Sequence, residues 1–276
     1  MSRSESKHAP SLKPALFLER APPSMFSPYL QSLSDSSIEI AINAPFNYAS
    51  ENDETELIKA LEKIDPKRIK KIKIWKWKIS LKTFVLFCEK IGRMSALEEI
   101  YFSRNGFTSE FAQSLSKALI EPNGPGKALK NFLFRGNDLS DQGIEWIAKS
   151  LKDPNGPGEN LLYLDLSNSN FSDKGLECLL ESLNSENGPS GLQQLNIIGN
   201  NISSVGTISL VKALGNPNGI GKSLKELILD FNPIGSIGAK AILRAESVLE
   251  YIWLNDCIIE DEPNLDRNSD ELVLAV

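Results

Sequence analysis

The stretch Leu97-Glu-Glu-Ile-Tyr-Phe-Ser-Arg-Asn105 recurs along the chain, and this recurrence decides the fold. Segments with apolar residues at the same first, fourth and sixth positions begin at Leu129, Leu161, Leu192, Leu224 and Leu249. The starts lie 32, 32, 31, 32 and 25 residues apart. A nearly constant period of this length predicts a solenoid, because each such unit can bury its apolar face only against its neighbours.

Each unit is predicted to contain one strand and one helix. In the unit that begins at Leu129, Phe132 and Phe134 alternate with their neighbours, which indicates a short strand. Apolar residues then recur at helical spacing from Ile144 to Leu151. The segment 153–158, Asp-Pro-Asn-Gly-Pro-Gly, ends that helix, because proline cannot continue it and glycine can adopt a left-handed cap. The alternation predicts an α/β fold with parallel strands on one face and helices on the other.

The two ends of the repeated region are less regular than its middle. One unit begins upstream at Ile69, and a weaker one begins near Ser37 with its helix about two residues out of register. We predict that the weaker unit is a cap, because the ends of a solenoid expose an apolar face. The chain then divides into an N-terminal arm or lid over residues 1–36, a solenoid of about seven to eight units over 37–259, and an acidic tail over 260–276.

The pattern Leu-x-x-Leu-x-Leu-x-x-Asn-x-Leu resembles the leucine-rich repeat family. The long unit and its full helix look like the ribonuclease-inhibitor-like subclass. This resemblance implies a horseshoe with a concave parallel β-sheet and convex α-helices, and a scaffold that usually binds protein. Three residues depart from asparagine in the pattern, namely Trp77, Ser169 and Cys257. Cysteine is a known variant of the family at this position, and tryptophan is not.

The asparagine of the pattern has a structural explanation. After each strand the chain turns inside the solenoid, where its backbone groups are cut off from water. A side-chain amide both donates and accepts hydrogen bonds, so stacked copies predict a ladder that satisfies these groups. The residues assigned to this ladder are Asn105, Asn137, Asn200 and Asn232.

The concave face of the sheet is predicted to bind a protein. Aromatic side chains and arginine on a solvent-facing sheet suit interface anchors. Aromatic residues also favour strands for packing reasons alone, and this explanation stays open beside the first. The predicted binding residues are Lys73, Trp75, Tyr101, Leu133, Arg135, Tyr163, Asp165, Asn196, Ile228, Asp230, Phe231, Tyr251 and Trp253.

Charge and composition argue against other kinds of partner. The net charge is −6, which disfavours nucleic acid. The run Lys67–Lys78 interleaves lysine with Trp75 and Trp77, a pattern that could suit RNA or an anionic membrane, but a solvated strand face is the simpler explanation. No segment has the apolar length of a transmembrane span.

No catalytic, metal or cofactor site is predicted. The single histidine, His8, lies in the N-terminal arm. The three cysteines show no metal-ligand spacing and no recognisable activating base, and their sparse number indicates reduced thiols in the cytosol. We therefore expect a monomer with no cofactor and no enzymatic activity.

The C-terminal tail resembles a secretion signal. Residues 260–271 are acidic, and Leu272–Val276 closes the chain with an apolar segment. Together with the Pro-Asn-Gly-Pro-Gly connectors, this resembles the leucine-rich-repeat virulence effectors that bacteria secrete through type IV (Dot/Icm-type) systems. The resemblance implies delivery into the host cytosol by a non-Sec route and a host protein as partner. Two alternatives stay open: an intracellular adaptor or enzyme inhibitor that is not secreted, and a tail that is only solvated or forms a last strand capping the solenoid.

Overall fold

The computed structural model describes residues 39–158, 160–216, 218–243, 249–257 and 273–275. Residues 44–47 and 273–275 are described by their backbone alone. The predicted N-terminal arm with His8 and the acidic stretch 260–271 lie outside the described residues.

Strands and helices alternate through the described part of the chain, and each strand from β1 to β7 pairs in parallel with the next. This confirms the predicted α/β solenoid with a parallel sheet on one face. None of the described helices is long and apolar enough to span a membrane. The strands are β1 Glu39–Tyr48, β2 Lys71–Lys78, β3 Glu99–Ser103, β4 Asn131–Leu133, β5 Tyr163–Asp165, β6 Gln194–Asn196, β7 Glu226–Ile228, β8 Tyr251–Trp253 and β9 Val273–Ala275. The helices are α1 Glu51–Glu62, α2 Leu81–Ile91, α3 Ser109–Leu119, α4 Ser140–Leu151, α5 Asp173–Leu183, α6 Ser204–Leu214 and α7 Gly235–Leu243.

The apolar core runs continuously between the sheet and the helices. Ile100, Phe132 and Leu164 are partners in register on β3, β4 and β5, and each is fully buried. On the helical side, Leu115 and Ile147 are buried as well, because the helical period turns them towards the sheet. Each unit therefore covers the apolar face of its neighbour.

Side-chain amides join successive units inside the solenoid. Asn137 Oδ1 accepts hydrogen bonds from the backbone N–H groups of Asn105 at 3.0 Å and Phe107 at 3.2 Å, both in the preceding unit. Its Nδ2 donates to the carbonyls of Phe102 at 3.1 Å and Phe134 at 3.2 Å. One side chain thus satisfies backbone groups in two units. Corresponding bonds are made in later units by Asn200 and Asn232.

The three departures from asparagine are accommodated in different ways. Trp77 is fully buried, and β2 continues past it to Lys78, so this strand runs on where the other units turn. The carbonyl of Ser169 accepts hydrogen bonds from two N–H groups of the preceding unit, Leu139 and Ser140, both at 3.1 Å. The Cys257 thiol donates to the Leu229 carbonyl of the preceding unit at 3.5 Å. It thus replaces one of the bonds that an asparagine Nδ2 donates to backbone carbonyls in the other units.

One position in every unit from Ile69 onward has a left-handed backbone. It lies seven residues after the first apolar residue of the unit, and its φ values fall between 51° and 66°. The position follows the strand in each unit except the first of these, where Lys76 lies within β2. A left-handed backbone is strained for a bulky side chain, so phenylalanine is the most strained of its occupants. The residues at this position are Lys76, Arg104, Gly136, Asn168, Gly199, Phe231 and Asp256.

The N-terminal unit contains an irregularity that explains its offset. β1 pairs with β2 up to Asn43, opposite Trp75, and pairing resumes at Asn47, opposite Trp77. Four residues of β1 thus span the distance of two residues in β2. The two additional residues match the offset of about two residues in the position of α1.

The last strand runs against the others. β9 pairs antiparallel with β8, with Val273 opposite Trp253 and Ala275 opposite Tyr251. A returning strand at this edge is one of the alternatives that the sequence left open for the tail. It supplies backbone partners to an edge strand that would otherwise present unpaired N–H and C=O groups.

Candidate functional site

The middle row of the concave face follows from the register of the strands. Because side chains alternate along a strand, this row points away from the helices. Its exposure is not uniform, since both ends are accessible and the centre is closed. The row consists of Lys73, Tyr101, Leu133, Asp165, Asn196, Ile228 and Trp253.

The accessible residues at one end form what we call the N-terminal surface. They are Lys73, Trp75, Tyr101, Leu133 and Arg135, each partly exposed. The rings of Trp75 and Tyr101 meet edge to face with centroids 5.9 Å apart, a preferred geometry for aromatic pairs. This surface offers aromatic, aliphatic and guanidinium groups to a partner.

The lysines of β2 are balanced by glutamates on the neighbouring strands. Lys73 Nζ lies 3.5 Å from carboxylate oxygens of both Glu39 and Glu99, and Lys71 Nζ lies 3.4 Å from Glu99. Exposed pairs of this kind add little stability, but they reduce the positive potential of the strand. The run Lys67–Lys78 therefore fits a solvated strand face better than a nucleic-acid interface. Each glutamate lies in a strand that neighbours these lysines.

The centre of the concave face is closed by polar residues that bond to their own turns. Asp165 is only 1% exposed, and its carboxylate accepts hydrogen bonds from the Ser167 N–H at 2.9 Å and the Tyr163 hydroxyl at 3.2 Å. Asn196 is 8% exposed and accepts from the Ile198 N–H at 3.1 Å. The structure thus places these two predicted contact residues where they present little surface to a partner. Burial, and then the Asp165 charge, raise the pKa of Tyr163 to about 12.

The other accessible end is what we call the C-terminal surface, formed by Ile228, Phe231, Tyr251 and Trp253. Tyr251 is 46% exposed and Phe231 is 58% exposed. The Trp253 indole N–H donates to Glu226 Oε1 at 2.9 Å, which fixes the ring. Glu226 lies diagonally opposite Trp253 on the adjacent strand.

The acidic residues beside this surface differ in accessibility. Asp230 is 9% exposed, and its Oδ1 accepts a hydrogen bond from the Asn255 N–H at 2.6 Å. Burial raises the pKa of Asp230, and the nearby Asp256 charge adds to this effect. Asp230 therefore mainly holds the turn, whereas Asp256 is exposed beside the surface.

Phe231 combines strain with exposure. Its φ is 57°, and the same position of two other units holds glycine, at Gly136 and Gly199. An exposed aromatic ring gains little burial to offset this strain, and strained residues concentrate at functional sites. The sequence contains a signal for the strain, because the two glycines mark the position as one that needs a left-handed backbone.

The thiols are poor nucleophiles in this fold. Cys88 and Cys257 are buried, and Cys178 is half-buried. Burial raises the pKa of Cys88 and raises the pKa of Cys257 to about 11. Burial and then the Glu145 charge raise the pKa of Cys178. Thiolate is the reactive form, so all three are held in the unreactive one. Within the described ranges, no group of three or more His, Cys, Asp or Glu could hold a metal ion.

Comparisons with known proteins agree with the repeat. A family model described as leucine-rich repeat matches residues 159–180 and 222–243. No curated protein matches the sequence significantly. Among solved structures, a Bacteroides fragilis protein is similar with 12% identity and a TM-score of 0.48, covering 82% of this chain and 67% of that one. An internalin from Listeria monocytogenes is similar with 14% identity and a TM-score of 0.35, covering 82% of this chain and 72% of that one.

Proteins built from such repeats generally use their extended concave surfaces for binding other proteins. The first matched segment contains β5 with most of α5, and the second contains β7 with the whole of α7. The other regular units repeat the same order of strand, left-handed turn and helix. Two segments of the chain thus match the leucine-rich repeat, and the described residues have the solenoid fold of such repeats.

Proposed function

We propose that this protein is a non-catalytic scaffold that binds another protein through its concave face, with the C-terminal surface as the anchor. The observation that supports this most is Phe231, an exposed aromatic residue in a strained backbone beside Tyr251 and Trp253. Binding energy at interfaces concentrates in a few such residues, and Trp and Tyr are enriched among them. The N-terminal surface extends the contact to the other end of the sheet, and the closed centre separates the two.

Replacing Phe231 by glycine tests the anchor, because the change removes the ring and relieves the strain. Phe231→Gly should keep its stability or gain up to about 1 kcal/mol, since glycine tolerates a positive φ. The double variant Phe231→Gly with Tyr251→Ala should fail to capture, from a eukaryotic host-cell lysate, the proteins that the unmodified chain captures. A lysate of the source cell serves for comparison. The matched control is Gln142→Ala, an exposed change on the convex helix α4. The concave-face proposal would be overturned if the double variant still captured these proteins and the Gln142→Ala control did not.

A second double variant, Tyr101→Ala with Trp253→Ala, removes one aromatic ring from the N-terminal surface and one from the C-terminal surface. Both rings are partly exposed, so thermal melting should change little. Loss of an anchor of this kind weakens binding by about 2 kcal/mol or more. Severe unfolding of this variant would instead show that these side chains act in packing.

We further propose that the scaffold is a bacterial effector carried into a host cell by a type IV (Dot/Icm-type) system. The support lies in the sequence, in the Pro-Asn-Gly-Pro-Gly connectors and the acidic stretch before the apolar end. A tail with Asp266→Asn, Asp270→Asn and Glu271→Gln removes charge but keeps Val273–Ala275. A reporter fused to this variant should no longer be translocated, while the fusion with the unmodified tail is. If the unmodified fusion also stays inside the bacterium, the alternative of an intracellular adaptor or inhibitor replaces the effector.

A further inference from the structure

The outer faces of α6 and α7 differ from those of the three helices before them, α3, α4 and α5. At the thirteenth residue after the first leucine of each unit, three units place Glu110, Gln142 and Lys174, and the next two place Val205 and Ile237. Val205 and Ile237 are each 65% exposed. The same positions accept polar side chains in three other units, so the fold does not require aliphatic ones there. Exposed aliphatic residues gathered in this way indicate a contact surface.

The next row along the helices shows a graded change. Sixteen residues after the first leucine, the units place Gln113, Glu145, Glu177, Ile208 and Lys240 in order. Ile208 is 39% exposed and lies between a carboxylate on α5 and an amine on α7. Helices α6 and α7 contain no acidic residue and carry Lys212 and Lys240, while α5 presents Glu177 and Glu181 to solvent. We call Val205, Ile208 and Ile237 the apolar strip. Acidic side chains of α5 flank it on one side, and basic side chains of α6 and α7 lie on the other.

We propose that this strip joins two copies of the chain in a two-fold symmetric dimer. Glu177, Ile208 and Lys240 occupy the same level on three neighbouring helices. A two-fold axis that passes beside Ile208 and runs along α6 brings Ile208 against its own copy and places Glu177 of each copy over Lys240 of the other. Because the acidic side of one copy then faces the basic side of the other, this surface fits a second copy of the same chain. This proposal departs from the monomer expected from the sequence.

The curvature of the solenoid suits this contact. Two convex surfaces approach most closely at their crests and separate towards their flanks. The crest here carries short aliphatic side chains, and the flanks, roughly 10 Å away on the neighbouring helices, carry long charged ones that can bridge a wider gap. An anionic membrane would instead face Glu177 and Glu181 with like charge, so the charge pattern favours a second copy over a lipid surface.

Sedimentation equilibrium of the full chain tests the dimer. Ile208→Glu should weaken dimerisation at least about tenfold, because two carboxylates then meet at the axis. The fold should tolerate this change, since Glu145 and Glu177 occupy the same position in their units. The matched control is Gln113→Glu, which introduces a glutamate in the same row on α3, outside the apolar strip. It should leave dimerisation unchanged. Circular dichroism melting of each variant verifies that it is folded.

A charge exchange tests the pairing itself. Glu177→Lys and Lys240→Glu should each weaken the dimer several-fold, and the double variant should restore it to within about threefold of the unmodified chain. A chain that stays monomeric at the highest concentration reached would overturn the proposal. A dimer that Ile208→Glu leaves intact, or a double variant no better than the single ones, would overturn it as well.

Discussion

At the scale of single residues, hydrogen bonding separates asparagines that look equivalent in sequence. Asn137 Oδ1 accepts from two backbone N–H groups of the preceding unit. Asn105 Oδ1 has no partner among the described residues, and Asn105 Nδ2 donates to the Trp77 carbonyl at 3.0 Å. In the preceding unit, β2 continues through Trp77 to Lys78, and none of the described N–H groups there bonds to the Asn105 oxygen.

Replacing Asn137 by leucine should lower the free energy of unfolding by about 1–3 kcal/mol, because it leaves buried backbone groups without partners. Asn105→Leu should lower it less, since fewer bonds are lost. Urea unfolding of the two variants beside the unmodified chain measures the difference. Equal losses would mean that packing and not hydrogen bonding sets the cost. A loss of protein binding with unchanged unfolding would mean that Asn137 is a ligand residue.

Asp230 should make stability depend on pH. Its pKa is raised in the folded state, mainly by burial, so the folded chain holds this proton to higher pH than the unfolded chain does. The stability that the Asp230 carboxyl contributes is therefore fully present below its pKa in the unfolded chain. It is lost as the pH rises through its pKa in the folded chain. Asp230→Asn keeps an oxygen acceptor for the Asn255 N–H and has no charge to bury. The variant should melt slightly higher at neutral pH, with an advantage that shrinks towards the normal carboxyl range. A constant difference between pH 4 and pH 7, measured by thermal melting at about unit intervals, would exclude this explanation.

At the scale of elements, α5 and α6 are each held at their start by a carboxylate of the helix before them. Asp141 in the first turn of α4 accepts hydrogen bonds from the Ser172 N–H at 2.7 Å, the Ser172 hydroxyl at 2.8 Å and the Gly175 N–H at 3.0 Å. Asp173 in α5 makes the same kind of contact with Ser203, which precedes α6. These carboxylates satisfy free N–H groups at a helix start and also favour the positive end of its dipole.

Removing one carboxylate should therefore destabilise the next helix. Asp141→Ala should lower the free energy of unfolding by about 1–3 kcal/mol, because charged hydrogen bonds to a helix start are lost. The neighbouring Gln142→Ala is exposed and serves as the control. Hydrogen exchange should quicken at the start of α5 and not at the start of α4. Faster exchange in α4 alone would assign Asp141 to its own helix.

At the scale of the whole molecule, a solenoid has two exposed ends and the chain closes them differently. β1 is long and irregular at one end, and β9 pairs antiparallel with β8 at the other. Each unit interacts mainly with its neighbours, so the end units open first unless they are covered. The strand β9 comes from a segment well separated in sequence from β8, and local periodicity does not determine its pairing.

Deleting residues 266–276 should lower stability modestly, by about 1–2 kcal/mol, because it removes the backbone partners that β9 gives to β8. Hydrogen exchange should quicken in β8 and stay unchanged in β4, the internal control. Unchanged unfolding and unchanged exchange would show that the tail serves delivery alone. The variant with Asp266→Asn, Asp270→Asn and Glu271→Gln keeps Val273–Ala275, so it should melt like the unmodified chain and separates delivery from folding.

The sequence by itself determined the repeat, the order of strand and helix, the parallel sheet and the row to which each concave residue belongs. It could do so because equivalent residues recur at a nearly fixed spacing, and a strand or helix turns them to one face whatever their neighbours are. Even the offset of the N-terminal unit was visible as two additional residues. Trp77 was recognisable as an exception, but not the longer strand that accommodates it.

Only the tertiary structure decided which concave residues remain accessible. Asp165 and Tyr251 lie in comparable stretches of strand, yet Asp165 is buried beneath Tyr163 and Tyr251 is open to solvent. Exposure depends on the size and bonding of side chains in adjacent units about thirty residues away, which the periodicity of one unit does not contain. The same holds for the exposed ring of Phe231 and for the neighbouring positions of Glu177, Ile208 and Lys240 on the outer surface. Only the stacking of the units places residues of different units side by side.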